Sequence, residues 1–322
     1  MIKEFPKLEQ KRLEILKIIH KFANLPEEVK QKYEHSFSSY SYGWSHGKEK
    51  LTDGRTDSAK GSYYANPVYD KLTDNEDLKN QYPCDYSDNI WPTDDVPEME
   101  HATKSMGKIQ VEILTNLCQQ FDRFMNQKTG GQHKIGFFED NMVKCFKSRL
   151  LHYFPLSRTA STSTQKDDDI DSFCGWHLDH SCLTMLLSPL YLDMNGNKIP
   201  APSDAGLYVK VRDGTNVKVN IPEDCLGVQL GETMQVLSGG ILRATPHCVK
   251  ASMDKDVSRE QLAMFAACDL DQSMELPEYA LSWKKVVECP HLPKGVPPLE
   301  GRLIGSADFK EFADRTYKAY YD

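Results

Sequence analysis

No apolar run in this chain approaches the roughly 20 residues that a membrane-spanning helix needs. The charged start Met1-Ile2-Lys3-Glu4-Phe5-Pro6 lacks the apolar core of a secretion signal. A cytoplasmic location and no membrane partner are the expectation. An excess of basic residues is also missing: a formal net charge of -8 and a pI near 5.7 leave no general surface for neutralising phosphates, so nucleic acid is not an expected partner. The nine cysteines contain no C-x-x-C pair, which removes the usual structural zinc and dithiol redox readings. Their odd number and scatter fit a reducing compartment. The acidic run Asp167-Asp168-Asp169-Ile170-Asp171 lacks the glycine and terminal glutamate of a calcium loop and reads as a solvated loop. What remains is small-molecule chemistry in 322 residues, enough for one large domain.

The chemistry concentrates in Phe173-Cys174-Gly175-Trp176-His177-Leu178-Asp179-His180. In a strand, residues two apart share a face, so His177 and Asp179 can reach one metal while Leu178 points away. A second histidine follows 68 residues after Asp179, in Thr245-Pro246-His247-Cys248-Val249. Two imidazoles and one carboxylate form the facial triad of non-haem Fe(II) oxygenases, with other positions left open for a cosubstrate and dioxygen. Arg259 comes next, ahead of the apolar run Leu262-Ala263-Met264-Phe265-Ala266-Ala267. A guanidinium there suits the far carboxylate of a metal-bound keto acid, because it grips carboxylates in two-pronged fashion. Cys174, Cys182 and Cys248 lie near these ligands, so thiolate ligation stays open, as does support of a ligand by His180.

The rest of the chain supplies the frame. Leu13, Leu16, Ile19 and Phe22 recur at helical spacing within Lys7–Tyr33, with a restart at Pro26, and Glu98–Gln127 carries a second apolar face. Residues 36 to 66 are rich in Ser, Tyr, Gly and charge and read as a long loop that could wall a substrate site. Beyond Gly130-Gly131 the texture becomes that of short strands, expected at Val143–Phe154, Cys182–Leu192, Gly206–Val211, Val217–Ile221, Leu226–Leu230, Met234–Val236, Ile241–His247 and Gln261–Cys268. Asp213-Gly214 marks a hairpin between two of them. The expected architecture is mainly β with flanking helices around a double-stranded β-helix, or jelly-roll, core. A single domain, 1–322, would divide into a helical and loop part (1–135), the jelly roll with the metal site (136–275) and a helical tail (276–322).

These residues resemble the isopenicillin N synthase-like branch of the iron and 2-oxoglutarate dependent dioxygenases. The likeness runs over most of the chain, through Ser41-Tyr42-Gly43-Trp44-Ser45-His46-Gly47-Lys48-Glu49, Leu150-Leu151-His152-Tyr153-Phe154-Pro155, Cys174-Gly175-Trp176-His177-Leu178-Asp179-His180 and Ser238-Gly239-Gly240-Ile241-Leu242-Arg243-Ala244-Thr245-Pro246-His247-Cys248-Val249. It implies Fe(II) on His177, Asp179 and His247, and 2-oxoglutarate as cosubstrate on Arg259, with Gln261 where the family has a Ser or Thr and Tyr153 beside it. The implied reaction is hydroxylation of a small organic molecule with dioxygen, releasing succinate and carbon dioxide. Tyr42, Trp44, His46 and Lys48 are the candidate substrate residues, and Trp44 and Trp176 candidate dry walls. The family's opening strand and N-H-G-like turn are missing ahead of the first helix, as in a shortened product with a less stable sheet. Two alternatives stay open: an iron oxidase that needs no keto acid, which the Gln261 departure raises, and a non-catalytic binding module on the same fold.

Overall fold

The structure is a computed structural model that describes residues 1–3, 5–48, 57–142, 144–155, 172–252, 254 and 256–321. The acidic run Asp167–Asp171 lies outside the described residues. Among the described residues, twelve strands form two antiparallel sheets: β1 (Gly43–His46), β2 (Lys60–Ala65), β3 (Cys145–Tyr153), β4 (Ser172–His177), β5 (Leu183–Leu187), β6 (Leu190–Leu192), β7 (Lys198–Ile199), β8 (Gly206–Lys210), β9 (Asn216–Val219), β10 (Leu226–Leu230), β11 (His247–Lys250) and β12 (Ser258–Ala267). The larger sheet runs β1-β2-β3-β12-β5-β10, with β6 pairing onto β12 and β7 onto β6. The smaller runs β4-β11-β8-β9. Strands make up 22% of the described residues and helices 35%, so "mainly β" describes the core and not the count.

The larger sheet is covered on both faces, and β12 shows how. Its odd-numbered residues Arg259, Gln261, Ala263 and Phe265 line a cavity between the sheets, while Leu262, Met264 and Ala266 enter the main hydrophobic core on the other side. That period of two is the strand's own pleat. The helix Leu8–Ala23 supplies the covering layer through Ile15, Leu16, Ile19 and Phe22, all fully buried, and Glu98–Lys128 adds Met99, Met106, Ile113 and Leu114. Each such side chain contributes about 1.5–3 kcal/mol by leaving water. The expected Lys7–Tyr33 helix ends at Ala23, and the chain restarts in two short turns, Glu27–Lys30 and Gln31–Tyr33, after Pro26. The closing helix is Phe309–Tyr321. Among the described residues, no helix is long and apolar enough to cross a membrane.

Three sequence expectations are corrected. Residues 36 to 66 are not one loop, for they contain β1 and β2, paired from Gly43↔Tyr64 to His46↔Gly61. Aromatic-rich strands hid there because Trp44 packs over Gly61, where a Cβ would stand 2.1 Å from the indole, so glycine marks a close approach and not a turn. Met234–Val236 belongs to a helix, Glu232–Leu237, every residue of which is buried. A short run covered on all sides has no period to read. That helix ends at Gly239-Gly240, both at positive φ (63° and 83°), and Ile241–Pro246 is loop before β11 begins at His247. The Asp213-Gly214 hairpin does form, joining β8 to β9 with Val209↔Val217 and Lys210↔Asn216 opposed.

Candidate metal centre and its cavity

His177 is the last residue of β4 and His247 the first of β11, and antiparallel pairing sets them directly opposite each other. Their rings lie 4.1 Å apart, centroid to centroid. Asp179 is past the strand end, so it reaches the pair from the β4–β5 connection and not from a shared strand face. Its Oδ1 is 3.7 Å from Nε2 of both histidines. The three ligand atoms all lie within 4.8 Å of one another. Leu178 does point away: it is buried, and its backbone N–H donates to the Tyr320 hydroxyl at 3.1 Å.

Neighbouring groups fix this geometry. Asp179 Oδ2 accepts from the Thr184 hydroxyl at 2.6 Å and the Gln229 amide at 3.4 Å, and the same amide lies 3.3 Å from His247 Nε2. Thr184 and Gln229 face each other across β5 and β10. The outer ring nitrogens are held by backbone carbonyls, Gly175 O for His177 (2.9 Å) and Thr245 O for His247 (3.2 Å), which turns both Nε2 atoms inward. Burial pushes Asp179 up, but His247, His177 and the Thr184 hydroxyl outweigh it and hold the carboxyl below its usual range. Burial, reinforced by His177, pushes His247 down to about 4. Burial also pulls His177 down, yet Cys174 and Asp179 overcome it and hold that imidazole at about 9. A cation binding here therefore displaces a proton.

Behind the centre stands the C-terminal tail. The His180 ring stacks on Phe309 and meets Tyr317 edge-on, and burial pushes it down to about 4. Among the described residues its ring contacts are with these two tail side chains. The backbone N–H of Glu232 donates to Asp179 O at 2.8 Å, and the Glu232 carboxylate is clamped by Arg302 in a buried two-pronged pair at 2.7 and 2.6 Å. None of these supports is visible in a linear motif.

The cavity between the sheets has a volume of about 840 Å³ and is lined by the triad, Tyr153, Arg259, Gln261 and a largely apolar wall including Leu186, Leu207 and Phe265. Arg259 is 3% exposed, and it faces the Tyr153 ring across the β12–β3 pair, 5.0 Å away. Its Nη2 donates to Gln261 Oε1 at 2.8 Å, whereas Nε and Nη1 are buried without a partner among the described residues. The Gln261 amide nitrogen is spent on Leu187 O (2.7 Å) and Leu262 O (3.0 Å). Gln261 thus holds the arginine and has no N–H left for a ligand, contrary to the expected direct contact. With Gln261→Ala we expect the affinity for a dicarboxylate to fall about tenfold, the worth of one hydrogen bond to a charged group. Titration of 2-oxoglutarate at fixed enzyme checks this.

Other expected site residues lie elsewhere. Trp44 is fully buried in the helix-facing core against Phe22, 5.2 Å ring to ring. Tyr42 is 1% exposed, donates to Asp85 O and lies under Lys147 Nζ. His46 packs on Phe154, and Lys48 pairs with Glu34 at 2.9 Å. None of the four lines the cavity, nor does Trp176. β1 is an edge strand of its sheet, separated by β2 from β3, whose Arg149, Leu151 and Tyr153 line the cavity. Among the described residues, no cysteine joins His177, Asp179 and His247 as a potential metal ligand. Burial pushes the Cys182 thiol up, and the Cys248 thiol to about 11, so both stay protonated. Cys174 lines the cavity beside His177, with Sγ 3.7 Å from Nδ1.

Set beside solved structures, this arrangement resembles the fold of 2OG-Fe(II) oxygenases, with its jelly-roll core. A 2OG-Fe(II) oxygenase family protein from Caulobacter crescentus matches with a TM-score of 0.68 at 19% identity, over 98% of this chain and 88% of that one. A full-length Neurospora crassa protein in complex with alpha-KG and thymine matches with a TM-score of 0.62 at 18% identity, over 99% of this chain and 86% of that one. JOX2 in complex with 2OG, Fe and JA matches with a TM-score of 0.54 at 17% identity, over 98% and 79%. No protein-family profile matches the sequence, and no curated protein matches it either.

Proposed function

We propose that the protein is a non-haem Fe(II) and 2-oxoglutarate dependent dioxygenase that hydroxylates a small organic molecule, releasing succinate and carbon dioxide, with residues 1–322 working as one domain. The observation that carries this reading is Arg259. A guanidinium so thoroughly buried, with two unpartnered nitrogens and no carboxylate paired to it among the described residues, costs several kcal/mol unless an anion completes it. It lines the cavity that the triad also lines.

The donor set fits the metal: two imidazoles and a carboxylate suit Fe(II) and leave coordination positions open. Iron there supplies the oxidising chemistry, with dioxygen as oxidant. The chain's own part is to hold and exclude. His177, Asp179 and His247 are the ligands; Arg259 takes the far carboxylate of 2-oxoglutarate, kept in plane by Gln261 and the Tyr153 ring. The apolar wall of Leu186, Leu207 and Phe265 keeps bulk water from the reacting atoms. The volume accommodates the cosubstrate and a small molecule together, in keeping with the thymine and JA bound by the structural neighbours. A keto-acid-independent oxidase has lost its motive, since Gln261 supports the clamp instead of disabling it, and a non-catalytic module would have no use for the triad and the orphaned guanidinium together.

The test is anaerobic titration of the Fe(II)-loaded protein with 2-oxoglutarate, following the weak visible charge-transfer band. A saturable band is expected, and in Arg259→Ala its half-saturation should rise by about tenfold to a hundredfold, the loss of charge-assisted hydrogen bonds worth about 1.5–3 kcal/mol. No band with iron bound would end the reading.

A further inference from the structure

The outer face of β12 carries a second set of metal-binding side chains. Glu260 lies between Arg259 and Gln261 and so points the opposite way, into the layer between sheet and helices. Its register partner on β3 is His152, and His20 reaches it from the helix Leu8–Ala23. His20 Nδ1 is 3.0 Å from Glu260 Oε1, and His152 Nδ1 is 2.9 Å from Oε1 and 2.7 Å from Oε2. Ser258 Oγ donates to Oε1 at 3.1 Å. Potential ligand atoms of the three residues all lie within 4.8 Å of one another.

From this geometry we propose that His20, His152 and Glu260 form a second divalent-cation site, of zinc type, separate from the cavity and tying the first helix to β3 and β12. Charge is the first argument. Glu260 is fully buried, and among the described residues no lysine or arginine pairs with it, so with neutral imidazoles a whole negative charge would be left in the core. Burial pushes the carboxyl up, but His152 and His20 outweigh it and keep it ionised. Spacing is the second. Ligands at 2.0–2.2 Å from a tetrahedral ion stand about 3.3–3.6 Å apart, roughly half an ångström wider than the present N···O distances, which protons now bridge. Exchanging those protons for an ion needs only a small opening of the cluster. Access is the third: His20 is 28% exposed whereas His152 and Glu260 are closed off, so an ion can enter from the helix side and keep a water there. His152 Nε2 is buried without a partner among the described residues, so neither tautomer of that ring gains a bond on its far side, and its hydrogen bonds go to the cluster. Two nitrogens and one carboxylate oxygen select zinc or its neighbours over calcium and magnesium.

An ion at this place cannot touch a substrate in the cavity. It would fix the strand pair whose other face presents Tyr153 and Arg259.

The test is a zinc titration of the full-length protein in competition with a chromophoric chelator. The unsubstituted chain is expected to take two ions. Asp179→Ala/His247→Ala should still take one, with thermal stabilisation by zinc retained, and adding His20→Ala should weaken that remaining ion about a hundredfold or more. His20 is a partly exposed helix residue, so its loss leaves the core packed; Glu260→Gln serves as the second variant. If Asp179→Ala/His247→Ala binds no zinc, or binds it equally well with and without His20, the cluster is a hydrogen-bonded clamp only. Failure of the dioxygenase reading would look different: the His20→Ala chain, with its triad intact, would then bind iron but show no response to 2-oxoglutarate.

Discussion

Asp179→Ala should abolish succinate formation, by about a thousandfold or more, since a metal centre supplies several kcal/mol of barrier lowering and each factor of ten needs about 1.4 kcal/mol. Asp179 is the one anion of the proposed triad, and it is also what holds the neighbourhood together: Thr184, Gln229 and both histidines converge on its two oxygens. Its removal leaves two imidazoles that a cation meets without charge compensation. The measurement is Fe(II) stoichiometry together with 2-oxoglutarate turnover. Asp179→Glu makes the sharper control, because it keeps the charge and lengthens the arm; weak iron binding with little turnover is expected there. Unchanged turnover in Asp179→Ala would remove the triad from the reaction altogether.

Arg302→Leu should destabilise the fold by about 3–5 kcal/mol, the usual consequence of leaving one member of a buried pair alone. Glu232 is 1% exposed and Arg302 3%, and the guanidinium also donates to Thr316 Oγ1, Pro297 O and Pro298 O. Burial pushes the Glu232 carboxyl up in spite of its partner, which shows how heavily desolvation weighs there. Urea unfolding measures the loss. Glu232→Met/Arg302→Leu, which removes both charges, should recover much of it. The same variants probe function, because the Glu232 backbone holds Asp179 and Tyr320 holds Leu178. Iron affinity is expected to fall in Arg302→Leu even where the chain remains folded. A fall in stability with iron affinity untouched would mean that the tail braces the core and not the ligands.

The site was unevenly legible in the sequence. That His177, Asp179 and His247 would come together could be read because the residue types of a metal centre are there, two of them close in the chain, and Arg259 drew notice because an apolar strand seldom carries a guanidinium without cause. Thr184 and Gln229 could not, since what matters about them is that β5 and β10 lie in register, a fact about pairing and not about neighbours in the chain. Gln261 was seen but misread: the direction of its amide is set by the carbonyls of Leu187 and Leu262, and no property of a glutamine foretells that. Tyr42 and Trp44 were misread for a related reason, as an aromatic on a core face and one on a ligand wall have the same composition and differ only in which layer they meet. The jelly roll itself followed from the succession of short strands and turns, while Glu232–Leu237 escaped because burial on every side erases periodicity.

The alternation along β12 has a consequence for how this chain can diverge. Arg259 and Gln261 look into the cavity while Glu260, between them, looks out toward His20 and His152. Inserting or deleting a single residue upstream in this strand would exchange the two faces, delivering a carboxylate to the place that takes an anion and a guanidinium to a nest of imidazoles. Lineages of this protein are therefore expected to vary β12 by replacement alone and to absorb every change of length in the connections at its ends.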